Sequence, residues 1–261
     1  MSKKMLIKTL TAFGMIAVFL PCAIYGGWPL KAVLAAIAVM TAHETASLTD
    51  GQTHLAMTAL NSVFLLILLF TPKTYFIAII SIFLLILFGI ELADEKVTTD
   101  FVAYTFLIMS MMAIGLTCLR DLYAAGNGFL KFLYVALACF GCDTGAYFIG
   151  VFFGKHKMIP RVSPNKTWEG SFGGYVTGLV LSLVFGLITL KMLPSSLIFA
   201  GSFLMPLTAQ LGDLSFSSIK RRFAIKDFGN LFPGHGGALD RIDSIIFCLI
   251  TFSGLLILWG F

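Results

Sequence analysis

The chain has 261 residues, 58% hydrophobic and only 12% charged, with a formal net charge of +5. Soluble domains carry about a quarter charged residues. At half that share too little polar surface remains to cover a water-soluble globule, which excludes a soluble domain and leaves an integral membrane protein with several spans. The net charge is small, so the placement of the basic residues carries more information than their sum.

The first residues, MSKKMLIKTLTAFGMIAVFLPCAIYGG, combine a basic end with an apolar run. This is the pattern of a signal peptide, but it lacks an A-x-A cleavage site and another apolar run follows at once, so it is read as a retained first span. Nine apolar runs follow one another: Leu6–Tyr25, Pro29–His43, Leu55–Phe70, Tyr75–Ile90, Phe101–Leu119, Phe129–Phe153, Ser171–Met192, Ser195–Ile219 and Ser244–Phe261. A bilayer core takes about 20 helical residues, so the second and third runs are short for a span. None alternates over many residues as a barrel strand would, so the predicted fold class is all-α: a polytopic membrane protein of about nine transmembrane helices. Residues 1–125 are read as five amino-terminal spans, and residues 126–261 as a carboxy-terminal transmembrane region with two cytoplasmic loops, 154–170 and 220–241.

With the amino terminus in the cytoplasm, the inner segments carry thirteen Lys and Arg and the outer ones five, namely Lys31, Lys73, Arg120, Lys131 and Lys191. That asymmetry is the positive-inside pattern. The two most basic loops fall on the same side because two spans separate them. The acidic inner loops, HETASLTDGQTH and ELADEKVTTD, are read as solvated connections, with His43 and Glu44 at a span end. The five cysteines all lie in or at the ends of apolar runs. Cys139 and Cys142 have redox spacing, but without a thioredoxin-like βαβ context they are read as lipid-buried packing.

Charged chemistry concentrates in Ser217–Asp243, SSIKRRFAIKDFGNLFPGHGGALDRID. Lys220, Arg221, Lys226 and Arg241 suit phosphate, with Asp227 among them. Asp240 and Asp243, three residues apart, project from one face if the ninth helix begins near Leu239. Two carboxylates at one helix start tolerate each other best around a cation. Asp213, towards the end of the eighth span, supplies a third. Hard oxygen ligands without a His/Cys set point to Mg2+ rather than zinc. The start of the ninth helix could itself face phosphate, and Gly234, Gly236 and Gly237 would let backbone N–H groups approach an anion. His235 fits either phosphate binding or a structural role. Asp143 lies inside the sixth span, where an ionisable residue is a functional hypothesis by default. In the loop before the seventh span, Ser163, Lys166 and Thr167 form a polar set suited to nucleotide contacts, and Trp168 suits an interfacial anchor.

These residues carry a specific resemblance. Ser217-x-x-Lys220-Arg221, then Lys226-Asp227, then His235-Gly236-Gly237-x-x-Asp240-Arg241-x-Asp243 resembles the signature of phosphatidate cytidylyltransferases. Asp143-x-x-Ala146-Tyr147, Ser163-Pro164-x-Lys166-Thr167-Trp168-Glu169-Gly170 and Gln210-x-Gly212-Asp213 match further motifs of that family in the same order. Ala238 stands where a larger aliphatic residue is usual and Asn165 where Lys is common. The first 130 residues resemble the family only in hydropathy. The resemblance implies a nine-helix fold and the reaction of CTP with phosphatidate to give CDP-diacylglycerol and pyrophosphate. It also implies Mg2+ held by Asp213, Asp240 and Asp243, a second cation such as K+, a homodimer, and a cavity open to the cytoplasm and the inner leaflet of the cell membrane. Lys226 and Arg241 join the three aspartates as expected catalytic residues. Asp143, Ser163, Lys166, Thr167, Lys220, Arg221, Asp227, His235, Gly236 and Gly237 are the expected substrate contacts.

Two other classes compete. Asp143 and Asp213 could serve a transporter, although no inverted repeat with paired broken helices is evident and the charge gathers in one segment. A binder of anionic lipid needs basic residues but not the three acidic ones. Nearer alternatives use another lipid acceptor, such as a polyprenol or an archaeal lipid.

Overall fold

The computed structural model describes residues 3–48, 54–232, 234 and 236–261. Among them are nine α-helices: α1 (Lys3–Tyr25), α2 (Gly27–Ala46), α3 (Leu55–Phe70), α4 (Phe76–Ala93), α5 (Thr99–Ala124), α6 (Gly128–Phe153), α7 (Trp168–Thr189), α8 (Ser195–Arg222) and α9 (Leu239–Leu258). The all-α expectation holds, and each predicted span maps onto one helix. Among the described residues, six stretches are long and apolar enough to cross a membrane: the 3-10 turn Lys73–Tyr75 together with α4, and helices α5 to α9. The chain is a multi-pass membrane protein. Apolar side chains such as Phe148, Phe152, Phe172 and Val184 are exposed on these helices, as a lipid-facing surface requires.

Helices α7 and α9 start three and five residues before their apolar runs, at Ser171 and Ser244, and each start has a cap. Helix α7 begins at Trp168 because Thr167 Oγ1 accepts the Gly170 N–H at 3.2 Å. Helix α9 begins at Leu239, five residues before the apolar run, so Asp240 and Asp243 do sit in its first turns. The loop before α7 contains a small antiparallel hairpin, β1 (Lys157–Ile159) with β2 (Ser163–Thr167), pairing Lys157 with Thr167 and Ile159 with Ser163.

The chain forms two compact units. One comprises residues 1–120 with 223–241. The other comprises residues 121–222 with 242–261. In the first, Leu30, Leu34, Ala38, Thr41, Ala42 and Thr45 form the buried stripe of α2 at helical spacing. Phe64 of α3 stacks on Phe83 of α4 at 3.9 Å between ring centroids. Arg120 Nη1 donates to the carbonyls of Leu68, Leu69 and Thr71 at 3.2, 2.9 and 3.1 Å, closing the carboxyl end of α3.

In the second unit, α6 and α7 pack backbone to backbone. A methyl placed on Gly174 would lie 2.5 Å from the Cys142 carbonyl, and one on Gly178 would lie 2.5 Å from the Ala138 carbonyl. This is the close approach that small residues allow between membrane helices, where apolar burial alone cannot drive association. Helix α8 is tied in by polar contacts. Tyr134 Oη lies 2.8 Å from the Ile198 carbonyl and 2.9 Å from Ser202 Oγ. Cys142 Sγ donates to the Pro206 carbonyl at 3.5 Å and Cys248 Sγ to the Met205 carbonyl at 3.3 Å. Cys139, Cys142 and Cys248 are thus buried packing residues, as their setting predicts.

Candidate active site

Within the unit formed by residues 121–222 and 242–261, three acidic side chains gather from three helices. Asp143 comes from the middle of α6, Asp213 from α8 and Asp243 from α9, and each repels the other two electrostatically. Two lysines answer them. Lys166 of β2 forms an ion pair with Asp213 Oδ2 and attracts Asp143, while Lys220 attracts Asp243. Ser217 Oγ donates to Asp213 Oδ1 at 3.4 Å, and Asp243 Oδ1 accepts from its neighbour Ser244 N–H at 2.8 Å. The Asp143 carboxylate takes no hydrogen bond from any described residue, although it lies in a membrane helix.

The surroundings explain this gathering. Asp143 rides on α6, which is clamped to α7 by the glycine contacts. Gln210, one turn before Asp213, donates from Nε2 to the Ser171 carbonyl at 2.9 Å and to Cys142 Sγ at 3.4 Å, so one amide ties α8 to both α7 and α6. Its Oε1 accepts from Ser171 Oγ. Gly212 lets α9 approach α8: a methyl there would lie 2.7 Å from the Asp243 carbonyl oxygen.

The hairpin carrying Lys166 is fixed at both ends. Glu169 accepts from the Lys155 N–H at 3.2 Å and from the His156 N–H at 3.2 Å, and lies 2.6 Å from His156 Nδ1. Arg221 Nε donates to the Val162 carbonyl at 3.3 Å. Of the residues expected to meet nucleotide, Ser163 is half-buried at the start of β2. Thr167 is buried, with its hydroxyl engaged as the α7 cap.

A second polar group lies within the unit formed by residues 1–120 and 223–241. Asp240 Oδ2 accepts from the Phe228 N–H at 2.9 Å and from the Gly237 N–H at 3.0 Å. Glu44, from the last turn of α2, is buried at 3% exposure. Its Oε1 accepts the Ala238 N–H at 2.7 Å and its Oε2 the Leu239 N–H at 2.8 Å. The anion at the start of α9 is therefore a protein carboxylate, not a phosphate. The expectation that Glu44 is part of a solvated connection is corrected by the same contacts. A helix's carboxyl end disfavours anions, so an acidic residue there was the available signal that its partner lay elsewhere.

The glycines take their reason from this arrangement. Gly236 has φ +83°, and a methyl on Gly237 would lie 2.6 Å from Glu44 Oε1. Lys226, Asp227 and Arg241 are exposed in this unit. His235 lies outside the described residues.

Among the described residues no three His, Cys, Asp or Glu side chains make a ready cage for a metal ion. The donor set nonetheless suits magnesium, which keeps several waters and is held by one or two carboxylates together with substrate phosphates. Three carboxyl groups, of Asp143, Asp213 and Asp243, thus face two lysines, Lys166 and Lys220.

A family model described as the cytidylyltransferase family matches residues 6–259. The chain belongs to the cytidylyltransferase family. The protein named phosphatidate cytidylyltransferase in Staphylococcus haemolyticus is 32% identical over 259 residues, covering 97% of this chain and 99% of its own length. Its namesake in Staphylococcus aureus strain COL is also 32% identical over the same coverage. The Bacillus subtilis protein of that name is 36% identical over 188 residues, 70% of this chain and 68% of its own. Family membership thus reaches across the amino-terminal helices, where the sequence motifs are silent.

Proposed function

We propose that this cytidylyltransferase is a phosphatidate cytidylyltransferase, joining CMP from CTP to phosphatidate in phospholipid biosynthesis. The observation that carries the reading is the convergence of Asp143, Asp213, Asp243, Lys166 and Lys220 from separate helices and a hairpin of one membrane unit. A lipid-anchored phosphate and a nucleotide triphosphate both need cationic side chains, and a divalent ion needs the carboxylates.

The lipid phosphate is already ionised near neutral pH and needs no strong base. One of its oxygens forms a bond to the α-phosphorus of CTP while the bond from that phosphorus to the β-phosphate bridging oxygen breaks, and pyrophosphate leaves in line. The protein's work is to position and to neutralise charge. Lys166 and Lys220, with Arg221, hold phosphate; Lys226 and Arg241 are the further contacts to the triphosphate and the lipid headgroup that the resemblance implies. Ser163 and Thr167 shape the nucleotide's surroundings, with Asp227, Gly236 and Gly237 the further contacts that the resemblance implies. Mg2+ fits the acidic set, with Asp213 and Asp243 as ligands, Asp143 beside them and Asp240, three residues before Asp243, as the further ligand that the resemblance implies. When bound, the ion supplies charge neutralisation on the phosphates. A second cation such as K+ and a homodimer complete the reading. With the basic loops inside, the site faces the cytoplasm from the bacterial cell membrane.

The test is to incubate the purified protein with Mg2+, phosphatidate and each nucleoside triphosphate in turn and to identify the lipid product by mass. CDP-diacylglycerol formed with CTP is expected. A product formed only with a polyprenol or another lipid acceptor, or none with CTP, overturns the reading. Asp243→Asn and Asp240→Asn are expected to abolish turnover in protein that still inserts; activity within a few-fold of the parent removes the metal assignment.

A further inference from the structure

The resemblance gives no role to Glu44, which lies outside every motif that carries it. We infer that Glu44 is a positioning residue: a built-in anion that occupies the start of α9 and holds the turn carrying Asp240. This rests on the reading that the first turn of α9 belongs to the catalytic machinery.

Two carboxylates, one remote and one local, share the backbone donors of this turn. Glu44 takes the N–H groups of Ala238 and Leu239 at 2.7 and 2.8 Å. Asp240 takes those of Phe228 and Gly237 at 2.9 and 3.0 Å. The backbone donors of Phe228 and of Gly237 to Leu239 in this turn therefore converge on two carboxylates. Phe232 and Gly236 close its neck, with the Phe232 N–H donating to the Gly236 carbonyl at 3.0 Å.

Space is as tightly set as charge. A methyl on Gly229 would lie 2.9 Å from Glu44 Oε1, and one on Gly237 2.6 Å from the same atom. The loop lies against the carboxylate on two sides, so a side chain at either glycine would have to displace it. A helix start normally attracts an anion. Because Glu44 already fills that place, those two donors are withheld from substrate, and the basic residues Lys226 and Arg241 are left to meet phosphate. Glu44 acts through the pose of the Gly237–Asp240 backbone and touches no reacting atom.

The experiment compares Glu44→Gln and Gly237→Ala with the parent in detergent or nanodiscs. Gln keeps the shape of Glu44 but turns one acceptor into a donor facing an N–H. Ala at Gly237, whose φ is ordinary, pushes the carboxylate aside. Three readouts are needed: the folded fraction, kcat and KM for both substrates, and amide hydrogen exchange across residues 236–241.

For Glu44→Gln, kcat per folded molecule is expected to fall about ten-fold or more, as for other residues that orient a catalytic group. Both KM values should stay within about two-fold, because no substrate contact is removed. Exchange should quicken at Ala238 and Leu239. Gly237→Ala should reproduce the pattern. An unchanged kcat, or a loss that only tracks the unfolded fraction, overturns the inference. So does unchanged exchange at those two amides. The exchange measurement needs no substrate, so it tests the cap even if the parent makes no CDP-diacylglycerol. Should neither variant insert, Glu44→Asp, which keeps the charge but withdraws it by one methylene, is read in the same way.

Discussion

Gly212→Ala perturbs the site without touching a charged group. The added methyl would lie 2.7 Å from the Asp243 carbonyl oxygen and 2.9 Å from Phe247 Cδ2. Ordinary contact begins at 3.4 Å, so α8 and α9 must part by about 0.7 Å at this level, since the nearest obstacle is helix backbone. Overpacking of that size costs about 1–3 kcal/mol. The catalytic effect is separate from the stability cost, because Asp213 follows Gly212 directly and its partner Asp243 carries the obstructing carbonyl. A shift of about 1 Å at a reacting centre costs up to about a hundred-fold, so a loss of about ten-fold in kcat/KM is the expected result. The assay is CTP-dependent pyrophosphate release by purified protein, normalised to the folded fraction and accompanied by thermal unfolding. Parent-like kcat/KM in Gly212→Ala would show that the spacing of Asp213 and Asp243 does not govern the rate. Gly254→Ala is the control on α9, since its added methyl meets no atom within 4 Å.

Further outcomes concern stability alone. Tyr134→Phe removes the hydroxyl shared by the Ile198 carbonyl and Ser202. It should cost about 1–3 kcal/mol because the buried Ile198 carbonyl loses this donor and Ser202 loses its partner; calorimetry in detergent reads this, and kcat per folded molecule should not change. Arg120→Met strips a donor from three carbonyls at the end of α3. A fall in unfolding temperature with unchanged KM for CTP is expected, and a large change in KM would contradict a purely structural role.

Much of this protein was legible in its sequence. Hydropathy marked every helix, because a segment crossing a bilayer must satisfy its own backbone and be apolar along its length. The signature residues Asp213, Lys220, Asp240 and Asp243 stood out because charge in or beside such segments is costly and therefore informative. Hydropathy was blind where polar residues begin a helix. It placed α9 at Ser244, whereas a cap from outside the helix starts it at Leu239.

Tertiary structure alone decided which charges meet. That Asp143, Lys166 and Asp213 converge depends on glycine contacts between α6 and α7 and on the amide of Gln210, none of which has a periodic pattern. That Glu44 reaches Ala238 across 194 residues of chain could not be read from a motif, because a motif records neighbours in sequence. Local sequence sets what a segment can bury, while a carboxylate's partner is set by whichever unsatisfied donor the packed backbone brings within about 3 Å.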